Sequence, residues 1–222
     1  VEPVVEQAIE RGNSFFGFYI GKGSIPYGDH PPDARFHDDN GKNSIAALLF
    51  DVQDHEAGAR FFSRMTVASY GERERGHTGN YFSYLWGALG AVRAGPEAVS
   101  AYLKEQRWFF DLNRGHDGRF SYQGGAGSSG AEHKYASWDC TGAFLLSYLV
   151  PQGRLFMTGR GVNPQNALTG ALLRETISAG RGFSNWDRGH GPYQALSSGQ
   201  LLRALENWSP VVRQRAAGIL AE

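Results

Sequence analysis

The chain has 222 residues and a hydrophobic content of 41%, enough apolar material for one large core or for a repeat array whose core runs between neighbouring units. Its 22 Lys and Arg balance 22 Asp and Glu, so there is no basic field to collect nucleic acid or an anionic membrane surface, and no acidic excess of a solvated tail. A single cysteine, Cys140, excludes an internal disulfide framework, and the longest mainly apolar stretch, residues 143–150 with Ser147 inside it, is far short of the roughly 20 residues needed to cross a bilayer.

The start, Val1-Glu2-Pro3, lacks an initiator Met and a signal-type apolar run. It reads as an excised domain or a processed product, soluble, with cytoplasm and periplasm both open. Residues 3–12 predict a helix with a narrow apolar stripe. A loop follows in which Gly23 precedes Ile25, and then the acidic stretch Phe36-His37-Asp38-Asp39. Residues 40–50 start small and polar and run into an apolar helix. Residues 55–68 return to the narrow-stripe type, 77–92 to the apolar type, and 96–112 to the narrow-stripe type, with Pro96 after Gly95 well placed as a first helical residue.

Beyond it, Gly118-Arg119-Phe120 repeats the loop pattern and residues 124–130 are flexible by composition, with no Gly-Lys-Ser/Thr of a phosphate loop. Residues 137–150 predict a third apolar helix, 168–179 another narrow-stripe helix, and Gly182-Phe183 a third loop of the same kind. Residues 191–205 predict a fourth apolar helix, and Ser209-Pro210 opens a further helix resembling a HEAT-type repeat. Apolar residues around most of a circumference mark inner, buried helices, and a one-sided stripe marks outer ones. Outer, loop, inner, four times over, is the pattern of stacked helix pairs. In the three loops the glycine permits a tight backbone and the large residue after it plugs the gap between pairs.

The run Leu103-Lys104-Glu105-Gln106, then Asp117-Gly118-Arg119-Phe120, then Asp139-Cys140-Thr141-Gly142-Ala143-Phe144 resembles the repeat unit of the terpenoid cyclase and protein prenyltransferase β-subunit superfamily. The resemblance is clearest over residues 96–150. More narrowly, His77-Thr78-Gly79, His116-Asp117-Gly118 and Trp138-Asp139-Cys140 look like an uncharacterised bacterial domain found beside HEAT repeats. It implies an all-α fold, an α/α toroid or horseshoe of about four helix pairs over residues 1–208, with 209–222 beginning a HEAT-like helical extension.

In such an array the inner helices run parallel and their amino ends gather at one mouth, where helix dipoles converge. The residues that fall there are His37, Asp38 and Asp39, then His77, then Asp139 and Cys140, and finally Asp187 and His190. Each alone is ordinary, since Asp at a helix start caps it and His there is commonly a hydrogen-bonded structural residue. In the prenyltransferases an Asp and a Cys at one inner-helix start and a later His hold zinc. The resemblance therefore implies a zinc set of Asp139, Cys140 and His190, although the family separates its Asp and Cys by one residue and here they are adjacent. A second reading makes Cys140 a nucleophile activated by His190 or His77. A third uses aromatics such as Tyr81, Trp86, Trp138 and Tyr193 to line a pocket for an apolar or isoprenoid-like ligand or a cationic intermediate, with Asp38 as the acid. That reading is weakened because only the last two acids of the cyclase Asp-x-Asp-Asp motif are present.

Two functions of different classes stand at this point. One is a non-catalytic helical-repeat binding or scaffold domain, with a polar rim pocket, serving a larger chain or a protein partner. The other is a toroid enzyme, zinc-dependent in its sharpest form. The balance of the sequence favours the first.

Overall fold

Pro96 after Gly95 starts a helix as expected, because a fixed proline φ suits the first turn and Gly95, at φ 101°, adopts a conformation that suits no other residue. The structure, a computed structural model, describes residues 2–26, 28, 31–38, 40–72, 81–121, 138–182 and 191–222, with the side chain of Tyr81 left out. Its helices are α1 (Pro3–Gly17), α2 (Lys42–Val52), α3 (Glu56–Ala68), α4 (Tyr81–Ala91), α5 (Pro96–Asn113), α6 (Thr141–Leu149), α7 (Gly170–Ala179), α8 (Ser198–Ala204) and α9 (Pro210–Leu220). Among the described residues extended pairing is confined to isolated bridges, Ser24 with Asp33, Arg114 with Phe120 and Ser121 with Asp139. The fold is all-α.

Two antiparallel hairpins set the arrangement. In the first, the Phe50 ring near the end of α2 lies on Gly58 near the start of α3, while Ser44 and Thr66 share a hydroxyl hydrogen bond of 3.2 Å at the other end. In the second, Gly87 of α4 makes room for the Tyr102 hydroxyl of α5, and Tyr84 stacks on Phe109 with centroids 4.4 Å apart. The hairpins meet through α2 and α4. Gly41 faces Phe82 and Trp86, and three residues on Ser44 faces Gly90, where a Cβ would stand 2.5 Å from the Ser44 Cα. Positions advance together along both helices, so α2 and α4 run parallel and close, as the inner-helix reading requires. On the far side of α4, α6 packs through Phe144 against Tyr84, and the Ser147 hydroxyl donates to the Tyr84 carbonyl at 3.3 Å.

Three buried clusters fill these seams. One joins Leu48, Leu89, Val99 and Leu168; a second is the aromatic group of Tyr84, Phe109, Phe110, Phe120 and Phe144; a third holds Tyr19, Ile25, Phe50 and Phe62. Ile25 and Phe120, each 5% exposed, are the plugs expected of the post-glycine positions. Phe183, the third, lies outside the described residues.

The last third departs from the sequence pattern. Residues 191–205 do not form one apolar helix: a short 3₁₀ segment, Gly191–Ala195, is followed by α8, whose start is fixed by a reciprocal capping box between Ser197 and Gln200. The box satisfies the amide donors of a new helix start, so it interrupts the longer one. Of α8 only Leu201 is buried, and the expected fourth inner helix becomes a surface element. Helix α9 folds back on the body, with Val211 and Met65 fully buried together beside Trp208 and Tyr193. Residues 209–222 are thus packed against the domain that the sequence reading ended at 208.

Candidate functional site

The expected rim forms in part. The starts of α2 and α4 adjoin through Gly41 and Phe82, and Cys140, ahead of α6, lies in the cluster that contains Tyr84. Three amino ends therefore share one end of the helix layer.

At the α6 start the two adjacent residues part company. Asp139 pairs with Ser121 in a short bridge, and the Cys140 N–H donates to the Phe120 carbonyl at 2.8 Å. In extended backbone successive side chains leave on opposite faces. Asp139 points outward and accepts the Thr141 N–H at 2.9 Å, capping the helix. Hydrogen bonds from the Thr141 side chain and backbone hold its carboxyl below the usual carboxylate range, with Arg119 adding to the effect. Cys140 points inward, 1% exposed among Phe109, Phe120 and Phe144, and its thiol donates to the Trp138 carbonyl at 3.5 Å. Trp138 itself is 47% exposed.

At the α2 start Asp38 is buried and works as a cap. Its carboxylate accepts the Asn43 N–H at 3.0 Å and the Ser44 hydroxyl at 3.3 Å. Beside it His37 is fully buried and joins three distant segments. Its backbone N–H donates to Glu72 Oε2 at 2.6 Å, its Nδ1 stands 3.4 Å from the same oxygen, and its Nε2 shares a hydrogen bond of 2.9 Å with the Ser209 hydroxyl. Hydroxyl, imidazole and carboxylate follow the order of a nucleophilic triad. Yet His37 and Ser209 are 0% exposed and Glu72 2%, and Ser209 Oγ also accepts the Val212 N–H as the cap of α9. With the hydroxyl closed to substrate, the arrangement is a clamp tying the segment before α2, the turn that follows α3 and the start of α9.

Sequence reasoning found His37 and Asp38 but missed Glu72 and Ser209, the two partners of His37. Glu72 opens the charged run 72–75, which reads as solvated surface. Ser209 before Pro210 was legible as a helix start, though not as a ligand of His37.

The aromatic set does not converge. Trp86 packs against the first cluster, and Tyr193 packs beside Met65 and Val211, where burial raises its phenol pKa. The Tyr81 side chain, Asp39, His77, His190 and Asp187 lie outside the described residues. Among the described residues no three His, Cys, Asp or Glu side chains group as a metal site. His116 and Asp117 sit in the turn before Phe120, where Asp117 accepts the Arg119 N–H and pairs with its guanidinium at 2.6 Å, as a turn residue does.

The family model of a Domain of unknown function (DUF6288) matches residues 1–159. The chain belongs to that family. No curated protein and no solved structure matches it. The DUF6288 match takes in α1 to α6, and with them Asp38, the His37–Glu72 pair and the Asp139–Cys140 step. Helices α7 to α9, and so Ser209, fall beyond it. No described helix is long and apolar enough to cross a membrane.

Proposed function

We propose that this DUF6288 domain is a non-catalytic helical-repeat binding module, an α/α-toroid or horseshoe segment that works by packing against further helices of a larger chain or a protein partner. The observation that carries the reading is the outer edge of α6. Leu145, Tyr148 and Leu149 are 48%, 41% and 57% exposed there, beside a cavity of about 450 Å³ lined by Leu146, Leu149 and Leu155 with Gln152 and Arg154. Contiguous exposed apolar surface marks an interaction site, and in a stack of helix pairs such a face is the one the next pair covers. On the other side of the layer the same kind of face, between α2 and α4, is closed helix on helix.

The enzymatic alternative draws support from the three helix starts gathered at one end. Its zinc set does not fit the side chains in place: Cys140 Sγ is enclosed by aromatic rings and Asp139 faces away from it. Metal analysis distinguishes the two readings. The binding module predicts a zinc content that Cys140→Ser leaves unchanged, together with loss of partner or self-association when Leu145 and Leu149 are both replaced by Lys. Stoichiometric zinc that disappears in Cys140→Ser overturns it.

A further inference from the structure

A separate cavity of about 350 Å³ opens where α2 ends and α3 begins, at the end of α2 away from Asp38. Asp51 and Asn166 border it from the interior, 7% and 2% exposed. Asp54, His55, Glu56 and Arg160 border it near the surface. None of these residues belongs to the set that the helix-start argument singles out.

The two interior residues present acceptors that the fold leaves without a hydrogen bond among the described residues. Asn166 Oδ1 is buried with no hydrogen-bond partner among the described residues, and Asp51 Oδ2 has only the Arg93 Nε across a 3.5 Å gap. Arg93 cannot turn to serve them better, because its terminal nitrogens are committed to the Thr158 hydroxyl and to the carbonyls of Arg160 and Gly161. That same grip fixes the 158–161 strap as a wall of the cavity. Buried acceptors are satisfied in folded proteins by a partner or an ordered molecule, and two residues that carry such acceptors line this one space.

Charge decides what kind of donor. Three carboxylates, Asp51, Asp54 and Glu56, meet two guanidiniums, Arg93 and Arg160, the second ion-paired to Asp54. One negative charge is left over. The amide donors at the start of α3 do not offset it, since His55 Nδ1 already accepts the Gly58 N–H at 3.0 Å and Glu56 occupies the first turn. An anion would face the carboxylates, and a neutral polyol would leave the excess charge unmet. A volume near 350 Å³ suits a small molecule.

We propose that this cavity binds a small organic cation, a primary amine whose ammonium donates to Asp51 and Asn166 and whose remainder extends toward Glu56. Isothermal titration of the 222-residue chain with 1,4-diaminobutane tests it, with inorganic phosphate and glycerol titrated under the same conditions. Saturable one-to-one binding of the diamine is expected, and neither phosphate nor glycerol should match it. Asn166→Leu removes an interior acceptor and should weaken binding by about tenfold or more. Glu56→Gln changes an exposed carboxylate that the fold does not lean on, and should weaken it by roughly threefold. Circular dichroism checks that both variants are folded, and Glu56→Gln carries the test alone if Asn166→Leu is not. Absence of saturable diamine binding, binding of phosphate or glycerol in its place, or a diamine affinity indifferent to these substitutions overturns the proposal.

Discussion

Replacing Glu72 by alanine should be among the most damaging single changes in the chain, although its sequence context resembles solvated surface. Its Oε2 accepts the His37 N–H at 2.6 Å and stands 3.4 Å from His37 Nδ1, and both side chains are fully buried. Removing Glu72 leaves the buried His37 N–H without its acceptor, which costs about 1–3 kcal/mol. The His37 imidazole also anchors Ser209, so the loss spreads to the start of α9. Against a total stability of about 5–15 kcal/mol, this is a large fraction. For a domain of this size it lowers Tm by about 2–12 °C, at 2–4 °C per kcal/mol. Glu72→Gln keeps an acceptor oxygen and the shape, and exchanges a hydrogen bond to a charged group for a neutral one, a loss of about 1 kcal/mol. Thermal and urea unfolding followed by circular dichroism measure both. If Glu72→Ala falls within the roughly 0.5 kcal/mol typical of surface changes, or if the Ala and Gln variants are equally affected, the clamp is not what holds these segments together.

Two further outcomes follow from the packing and from the phenol chemistry. Gly90→Ala should cost about 1–3 kcal/mol by overpacking, because its Cβ would meet the backbone of Ser44; a neutral result in urea unfolding would mean that α2 and α4 are not in close contact. Burial, reinforced by Glu105, pushes the Tyr70 phenol up to about 12, and its hydroxyl donates to the Ile177 carbonyl at 2.9 Å. The native state therefore holds this proton after the unfolded chain has begun to release it near pH 10. The stability it contributes is complete below about pH 10 and is lost as pH rises through about 12. Urea midpoints measured from pH 9 upward should fall less steeply for Tyr70→Phe than for the native chain, and parallel slopes would contradict the assignment.

How much of this was legible in the sequence varies with the physical origin of each feature. The helices α2 to α6 follow from apolar periodicity and from punctuation by Gly and Pro, and their observed limits stay close to the pattern. The parallel seam of α2 and α4 was legible from their apolar character, whereas the role of Gly41, Gly87 and Gly90 as contact points depends on pairing between helices that no local pattern encodes. The 191–205 segment was misread because its apolar residues suggest one helix while Ser197 and Gln200 carry the stronger local instruction. At the candidate site, Asp38 and Asp139 prove to be helix caps, the ordinary role of such residues. Cys140 was placed at a rim, and the side-chain alternation imposed by the Ser121–Asp139 bridge turns it inward instead. That bridge joins residues 18 apart, so spacing within the 138–142 motif could not reveal it. Asp51 and Asn166, which border the same cavity, lie 115 positions apart and meet only through the fold.

The reactivity of Cys140 tests the central reading most directly. If the starts of α2, α4 and α6 form a packed end and not an open site, its thiol, 1% exposed among aromatic rings, is shielded in the native state. Labelling with a disulfide-exchange reagent should then wait on unfolding and accelerate in step with urea denaturation. Rapid stoichiometric labelling of the folded chain, slowed by added zinc, would show instead that the thiol faces an accessible metal-binding pocket.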